Sequence, residues 1–207
     1  MTTSYANESS LAWPPGRAAP GYADELGQVI GRCLAGEQAA YVELYDQFAA
    51  RVYRLTYSLL QDRQDAEEVL QDTFEYAFRK LRHFDPAKSA LKTWLFQIAI
   101  SRCHNKRRRK WLPSLSLSAE QVETAADPHQ PQLDELAALS SQQQAIWQAL
   151  AQLSPKLRET VVLRYYEGLT YGEIGAILDI PAKTAESRTR LAHKALHELL
   201  ADVLETP

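Results

Sequence analysis

Between Arg102 and Lys110 the chain places six basic residues and no acidic one. Four or five cations on one or two turns of helix repel one another. A phosphate backbone would relieve that repulsion, and a solvated helix end is the plainer alternative. Just before the run, Trp94, Gln97, Ser101 and Asn105 recur at helical spacing, beside a stripe of Leu95, Ile98, Ala99, Arg102 and Cys103. An aromatic ring with amide and hydroxyl groups suits unpaired bases, which stack on rings and hydrogen-bond through their edges. Lys88, Ser89 and Lys92, in the preceding loop, offer ammonium and hydroxyl groups that hold phosphates.

A second constellation is acidic. Asp65, Glu68, Gln71, Asp72 and Glu75 fall three or four residues apart, opposite an apolar stripe of Ala66, Val69, Leu70, Thr73, Ala77 and Leu81. Such a row is either a solvated face or a grip for a basic protein partner. A third lies near the C-terminus, where Lys183, Thr184, Ser187, Arg188, Arg190 and Lys194 share one helical segment. That segment follows a short helix and the turn Asp179-Ile180-Pro181, which is the pattern of a helix-turn-helix. Its first residues could reach base edges, and Arg190 and Lys194 phosphates.

The elements that must carry these groups are all helical. Residues 24–34 form a short amphipathic segment. Residues 39–60 form a longer helix, with Leu44, Phe48, Val52, Leu55 and Leu59 on one side. Asp62 can cap the helix holding the acidic row. Residues 83–92 form a loop around Pro86, and 93–110 return to helix. In the second half, Ser154 and Pro155 begin one helix. Thr170 with Glu173 makes a capping box for the next. The last helix is expected over 182–204, with Ala185, Arg188, Leu191, Ala192, Leu196 and Leu199 along its length.

The expected architecture is therefore all-α, with two helical domains joined by a flexible linker. Residues 1–22, with Pro14, Pro15 and Pro20 and no periodicity, read as a flexible tail. Residues 23–111 form the first domain and 141–204 the second. The linker, 112–140, holds Pro113, Pro128 and Pro131 and is acidic.

Composition narrows the function. The 207 residues are 45% hydrophobic with a net charge of −3, so the chain is globular and no polycation. No apolar run approaches the ~20 residues of a membrane span, and no secretory signal is visible. Two cysteines, Cys33 and Cys103, make neither a disulfide framework nor a metal cluster, and the cytoplasm is the expected compartment. No Gly-rich phosphate loop, nucleophile constellation or metal-ligand cluster appears, so no catalytic site and no cofactor are expected.

Three stretches, DAEEVLQDTFEYAFRKL, FDPAKSALKTWLFQIA and LSPKLRETVVLRYYEGLTYGEIGAILDIPAKTAESRTRLAHKAL, resemble the extracytoplasmic-function (ECF) sigma factors in content, order and spacing. These are the small two-domain initiation subunits of bacterial RNA polymerase. The resemblance implies that Asp65, Glu68, Gln71, Asp72 and Glu75 dock on the clamp helices of the largest polymerase subunit, with a second contact at the flap. It implies recognition and opening of the −10 element by Phe84, Lys88, Ser89, Lys92, Trp94, Gln97, Ser101, Arg102, Asn105 and Lys106. It implies reading of the −35 element by Lys183, Thr184, Glu186, Ser187, Arg188, Arg190 and Lys194, and an anti-sigma factor as a further partner. The chain departs from the family pattern at Ser101, Asn105, Glu186 and Thr189, so no promoter sequence carries over. A stand-alone helix-turn-helix regulator is the alternative. A helical protein adaptor is a third, which the basic run at Lys106 to Lys110 disfavours.

Overall fold

The computed structural model describes residues 22–111 and 141–201. The expected tail apart from Tyr22, which begins the first helix, the expected linker and the last residues of the expected final helix lie outside that range. Among the described residues every regular element is helical.

The first domain contains α1 (Tyr22–Leu34), α2 (Gln38–Leu60), α3 (Arg63–Lys80), a short 3-10 turn (Leu81–His83) and α4 (Leu91–Trp111). Its core is the apolar stripe of α2, with Leu44, Phe48, Val52, Leu55 and Leu59 buried, against Val69, Leu70, Phe74 and Ala77 of α3 and Leu95, Phe96, Ala99 and Cys103 of α4. Gln61 ends α2 in the left-handed region, at φ 54°. Asp62 then starts α3, its carboxylate accepting from the Asp65 amide at 2.9 Å. That bond satisfies one of the amides that open a helix without an internal partner.

The second domain contains α5 (Ser141–Gln152), α6 (Pro155–Val161), α7 (Tyr171–Leu178) and α8 (Ala182–Leu199). One π-type turn, Val162–Tyr166, prolongs α6, a widening that periodicity along the sequence does not signal. Ser154 sits at the cap position of α6, but its hydroxyl makes no capping bond. Thr170 and Glu173 do form the capping box of α7, with Thr170 N donating to Glu173 Oε2 at 2.8 Å and Glu173 N donating to Thr170 Oγ1 at 3.3 Å.

Helices α7 and α8 are the helix-turn-helix. Asp179 takes the left-handed conformation at the end of α7. Gly175 permits the tight return, since a Cβ there would lie 2.6 Å from the Ile180 carbonyl oxygen. Along α8, Ala185 and Ala192 are buried, while Leu191 and Leu199 are exposed. Thr189 takes the buried place between the two alanines, its hydroxyl donating to the Ala185 carbonyl at 2.9 Å. A helix places residues four apart on one face, so Thr189 belongs to the Ala185 row and Leu191 does not.

Candidate nucleic-acid interface

The acidic row on α3 divides in two. Gln71, Asp72 and Glu75 are exposed, as is Glu68, and Glu75 makes only a surface pair with Arg79 at 3.3 Å. Asp65, expected on the same outer face, is buried instead, at 8% exposure. The reason lies in how α3 packs on α4. The first turn of α3 meets the last turns of α4, and Asp65 receives Lys106 at 3.2 Å together with Lys110. Lys106 also bonds Glu68, and Lys110 reaches Asp62 at 3.4 Å. Acids at a helix start and cations at a helix end each also suit the local dipole.

The basic run is thus largely accounted for by the fold, through carboxylate partners that neither the phosphate reading nor the solvated-end reading supplied. Burial acts to lower the Lys106 ammonium, but the Glu68 and Asp65 carboxylates outweigh it and hold its pKa above the ordinary value. Lys110 is raised in the same way, against burial, by Asp65 and Asp62. Arg107 is held by Glu159 of the second domain at 3.3 Å. Arg108 and Arg109 are exposed, Arg108 donating weakly to the Asn105 side-chain oxygen at 3.4 Å.

The residues expected at the −10 element line α4 and the loop before it. Phe84 and Trp94 are half-buried, with ring centroids 5.3 Å apart. Lys88 is exposed beside Asp85 at 3.4 Å, Ser89 is half-buried, and Ser101 is exposed. Arg102 lies over the Tyr76 ring at 4.9 Å, so its guanidinium is fixed on the α3 side of α4. Lys92 is half-buried, its ammonium 6.0 Å from the Phe96 ring centroid. Burial lowers its pKa, while Glu167 of the second domain pulls the other way. Gln97 donates to the Ala176 carbonyl on α7 at 2.8 Å.

On α8, the helix expected to meet the −35 element, Lys183, Glu186, Arg190 and Lys194 are exposed, and Thr184, Ser187 and Arg188 are half-buried. Lys194 stands 3.9 Å from Glu198, a loose surface pair. The first half of α8 therefore presents hydroxyl, carboxylate and guanidinium groups along one accessible helix, as major-groove reading requires.

Sequence reasoning missed the polar groups between the two domains. Arg158 and Glu159 are buried, at 4% and 3% exposure. Arg158 donates to the Leu59 carbonyl at 3.0 Å, to the Leu153 carbonyl at 3.2 Å, and to the Ala151 carbonyl. Burial pulls its pKa down to about 10, with Arg107 adding to the effect. Glu159 Oε1 lies 2.8 Å from His104 Nε2 and accepts from Arg107. Gln61 donates to the Trp147 carbonyl at 2.8 Å, and Trp147 packs on Tyr57 with centroids 4.7 Å apart. A charged pair in the middle of a helix reads as surface, so nothing in its spacing could have signalled this burial.

Among the described residues no group of three or more His, Cys, Asp or Glu side chains is placed to hold a metal ion, and no helix is long and apolar enough to cross a membrane.

Two family models match the chain: Sigma-70 region 2 over residues 44–112 and Sigma-70 region 4 over residues 143–196. The sigma factor SigW of Bacillus subtilis is 31% identical over 181 residues, covering 84% of this chain and 96% of SigW. The chain belongs to the ECF RNA polymerase sigma factor family. A second ECF sigma factor, SigE of Mycolicibacterium smegmatis, is 35% identical over 171 residues, or 80% of this chain and 65% of that relative. SigK of Mycobacterium tuberculosis H37Rv is 29% identical over 184 residues, covering 87% of this chain and 96% of SigK.

Two solved structures share the fold. CnrH, in complex with the cytosolic domain of CnrY, superposes with a TM-score of 0.63 at 23% identity, over 84% of this sigma factor and 96% of CnrH. RpoE of Bartonella quintana, in complex with the anti-sigma factor NepR, gives 0.59 at 24% identity, over 78% and 96%. Region 2 of this ECF sigma factor thus runs from within α2 through α4, and region 4 from within α5 through most of α8.

Proposed function

We propose that this chain is an alternative sigma factor that binds core RNA polymerase and directs initiation at promoters with −10 and −35 elements. One observation carries the reading: both sigma regions occur in family order, and the second ends in a helix-turn-helix whose reading helix offers Arg188, Ser187 and Thr184 near its start. The first domain, 23–111, docks on the polymerase through Glu68, Gln71, Asp72 and Glu75, and opens the −10 element. The second domain, 141–204, reads the −35 element, and 112–140 joins the two.

Strand opening asks for a place to receive unpaired bases. The Phe84 and Trp94 rings, with Ser101 and Asn105 farther along α4, offer stacking and edge hydrogen bonds. Lys88 and the exposed Arg108 and Arg109 supply phosphate contacts. In this reading the polymerase performs the bond-making chemistry. The cytoplasm is where its template and polymerase are found. The two solved neighbours were captured with CnrY and with the anti-sigma factor NepR, which supports an anti-sigma partner here.

Mixing the purified chain with bacterial core polymerase tests the first half of this reading. A stable stoichiometric complex on gel filtration is expected. Persistent separation of a folded chain from core would favour a stand-alone helix-turn-helix regulator.

A further inference from the structure

Leu191 has no place in the core. It is 56% exposed, although it stands within two residues of the buried Thr189 and Ala192 near the middle of α8. Among the described residues, α8 has one other exposed large apolar side chain, Leu199, which ends the helix.

Leu191 follows Thr184, Ser187 and Arg188 by seven, four and three residues. Those intervals put the four side chains in one row, distinct from the row of Ala185, Thr189 and Ala192 that packs inward. Thr184, Ser187 and Arg188 already belong to the proposed −35 contact. Helices that read bases in the major groove do so through rows of this spacing.

The reach is adequate. At 1.5 Å per residue, Leu191 lies about 11 Å along the axis from Thr184, within a major groove about 12 Å wide. A leucine on a helix also leans back over the preceding turn, here towards Ser187 and Arg188.

Chemistry narrows the contact to one group. Hydrogen-bond donors and acceptors line the major-groove edges of all four base pairs, and the C5-methyl of thymine is the one apolar group among them. Leucine forms no side-chain hydrogen bond and carries no charge for a phosphate. An apolar side chain on this row therefore discriminates between bases only through that methyl.

We propose that Leu191 is a specificity-determining residue of the −35 contact, packing on a thymine methyl and so selecting an A·T pair at one position of the element. The proposal rests on the function proposed above.

The test uses holoenzyme reconstituted from the full chain and bacterial core polymerase, on a promoter that the chain selects from a fragment library. Each thymine of the −35 element, on either strand, is replaced singly by deoxyuridine, which pairs alike and lacks only the methyl. One replacement should weaken promoter binding about fourfold, the scale of one buried methyl. Leu191→Ala should weaken binding of the unmodified promoter at least as much and be indifferent to that deoxyuridine, so the two losses do not add. Alanine at an exposed helical position is no threat to the fold. Leu191→Met, which keeps an apolar side chain of similar reach, should restore the response.

Indifference of the unmodified chain to every deoxyuridine would overturn the proposal, as would a selected −35 element without an A·T pair. So would a full deoxyuridine response in Leu191→Ala, which would give the methyl to another side chain. A variant that loses core-polymerase affinity and keeps its DNA response would assign Leu191 to the polymerase instead. A folded chain that yields no promoter at all would bring down the proposed function and this contact with it, a result distinct from the others.

Discussion

Asp65 of α3 and Lys106 of α4 meet at 3.2 Å, each mostly shielded from solvent, with side-chain exposures of 11% and 19%. An acid from the supposed docking row is thereby consumed inside the first domain. Its neighbours Asp72 and Glu75 remain on the outer face.

Charge reversal should separate these roles. Asp72→Lys with Glu75→Lys should leave the melting temperature nearly unchanged and weaken core-polymerase binding at least tenfold. Asp65→Ala should instead destabilise the fold by about 1–2 kcal/mol, since Lys106 and Lys110 lose their shared carboxylate and keep only Glu68 and Asp62. Titration with labelled core and thermal unfolding, run on the same samples, check both. Unchanged core affinity in the double variant would remove the docking assignment.

Arg188 stands half-buried in the first half of α8, where a helix-turn-helix reads bases. Arg188→Ala should cost ~1–3 kcal/mol of −35 duplex binding and relax preference at one base position. Binding to a panel of single-base variants decides it. An equal loss on every sequence would make Arg188 a phosphate contact.

Arg108 and Arg109 are exposed, whereas Lys106, Arg107 and Lys110 have carboxylate partners. Neutralising Arg108 and Arg109 should therefore reduce the salt dependence of promoter binding, by a slope of about 0.9 for each phosphate the chain no longer neutralises. Affinity measured across a salt series tests this. An identical slope would assign the pair to solvent.

Cys103 is fully buried in the first-domain core, and burial pushes its thiol from 9.0 up to about 12. A folded-state value raised above the unfolded one means a neutral thiol is favoured by the fold. Its contribution to stability is complete below pH 9 and is lost as pH rises towards 12. At pH 10 the folded chain should resist alkylation at Cys103, and the chain in denaturant should react promptly. Mass spectrometry after a timed alkylation pulse reads the difference.

Local chemistry made much of the fold legible in advance. The Asp62 cap, the Thr170 and Glu173 capping box and the α2 stripe all depend on residues within a turn or two of each other, and each is present. Relationships between distant residues were not legible. Asp65 and Lys106 are both polar, and periodicity assigns polar residues to the outside wherever no local partner explains them. The same bias hid Arg158, Glu159 and Gln61, whose partners lie in the other domain. Thr189, absent from the expected row on α8, is buried because its hydroxyl is satisfied within its own helix and its body packs like an apolar residue. For the candidate site, spacing found the segments, while the division between free and paired charges needed the packing of α3 on α4.

The most direct test of sigma activity is transcription by bacterial core polymerase on a library of promoter fragments, with and without the purified chain, read by sequencing the RNA starts. Starts that appear only with the chain and share a two-part promoter are the predicted result. No chain-dependent starts, from folded protein and an active core shown to bind it, would contradict the account.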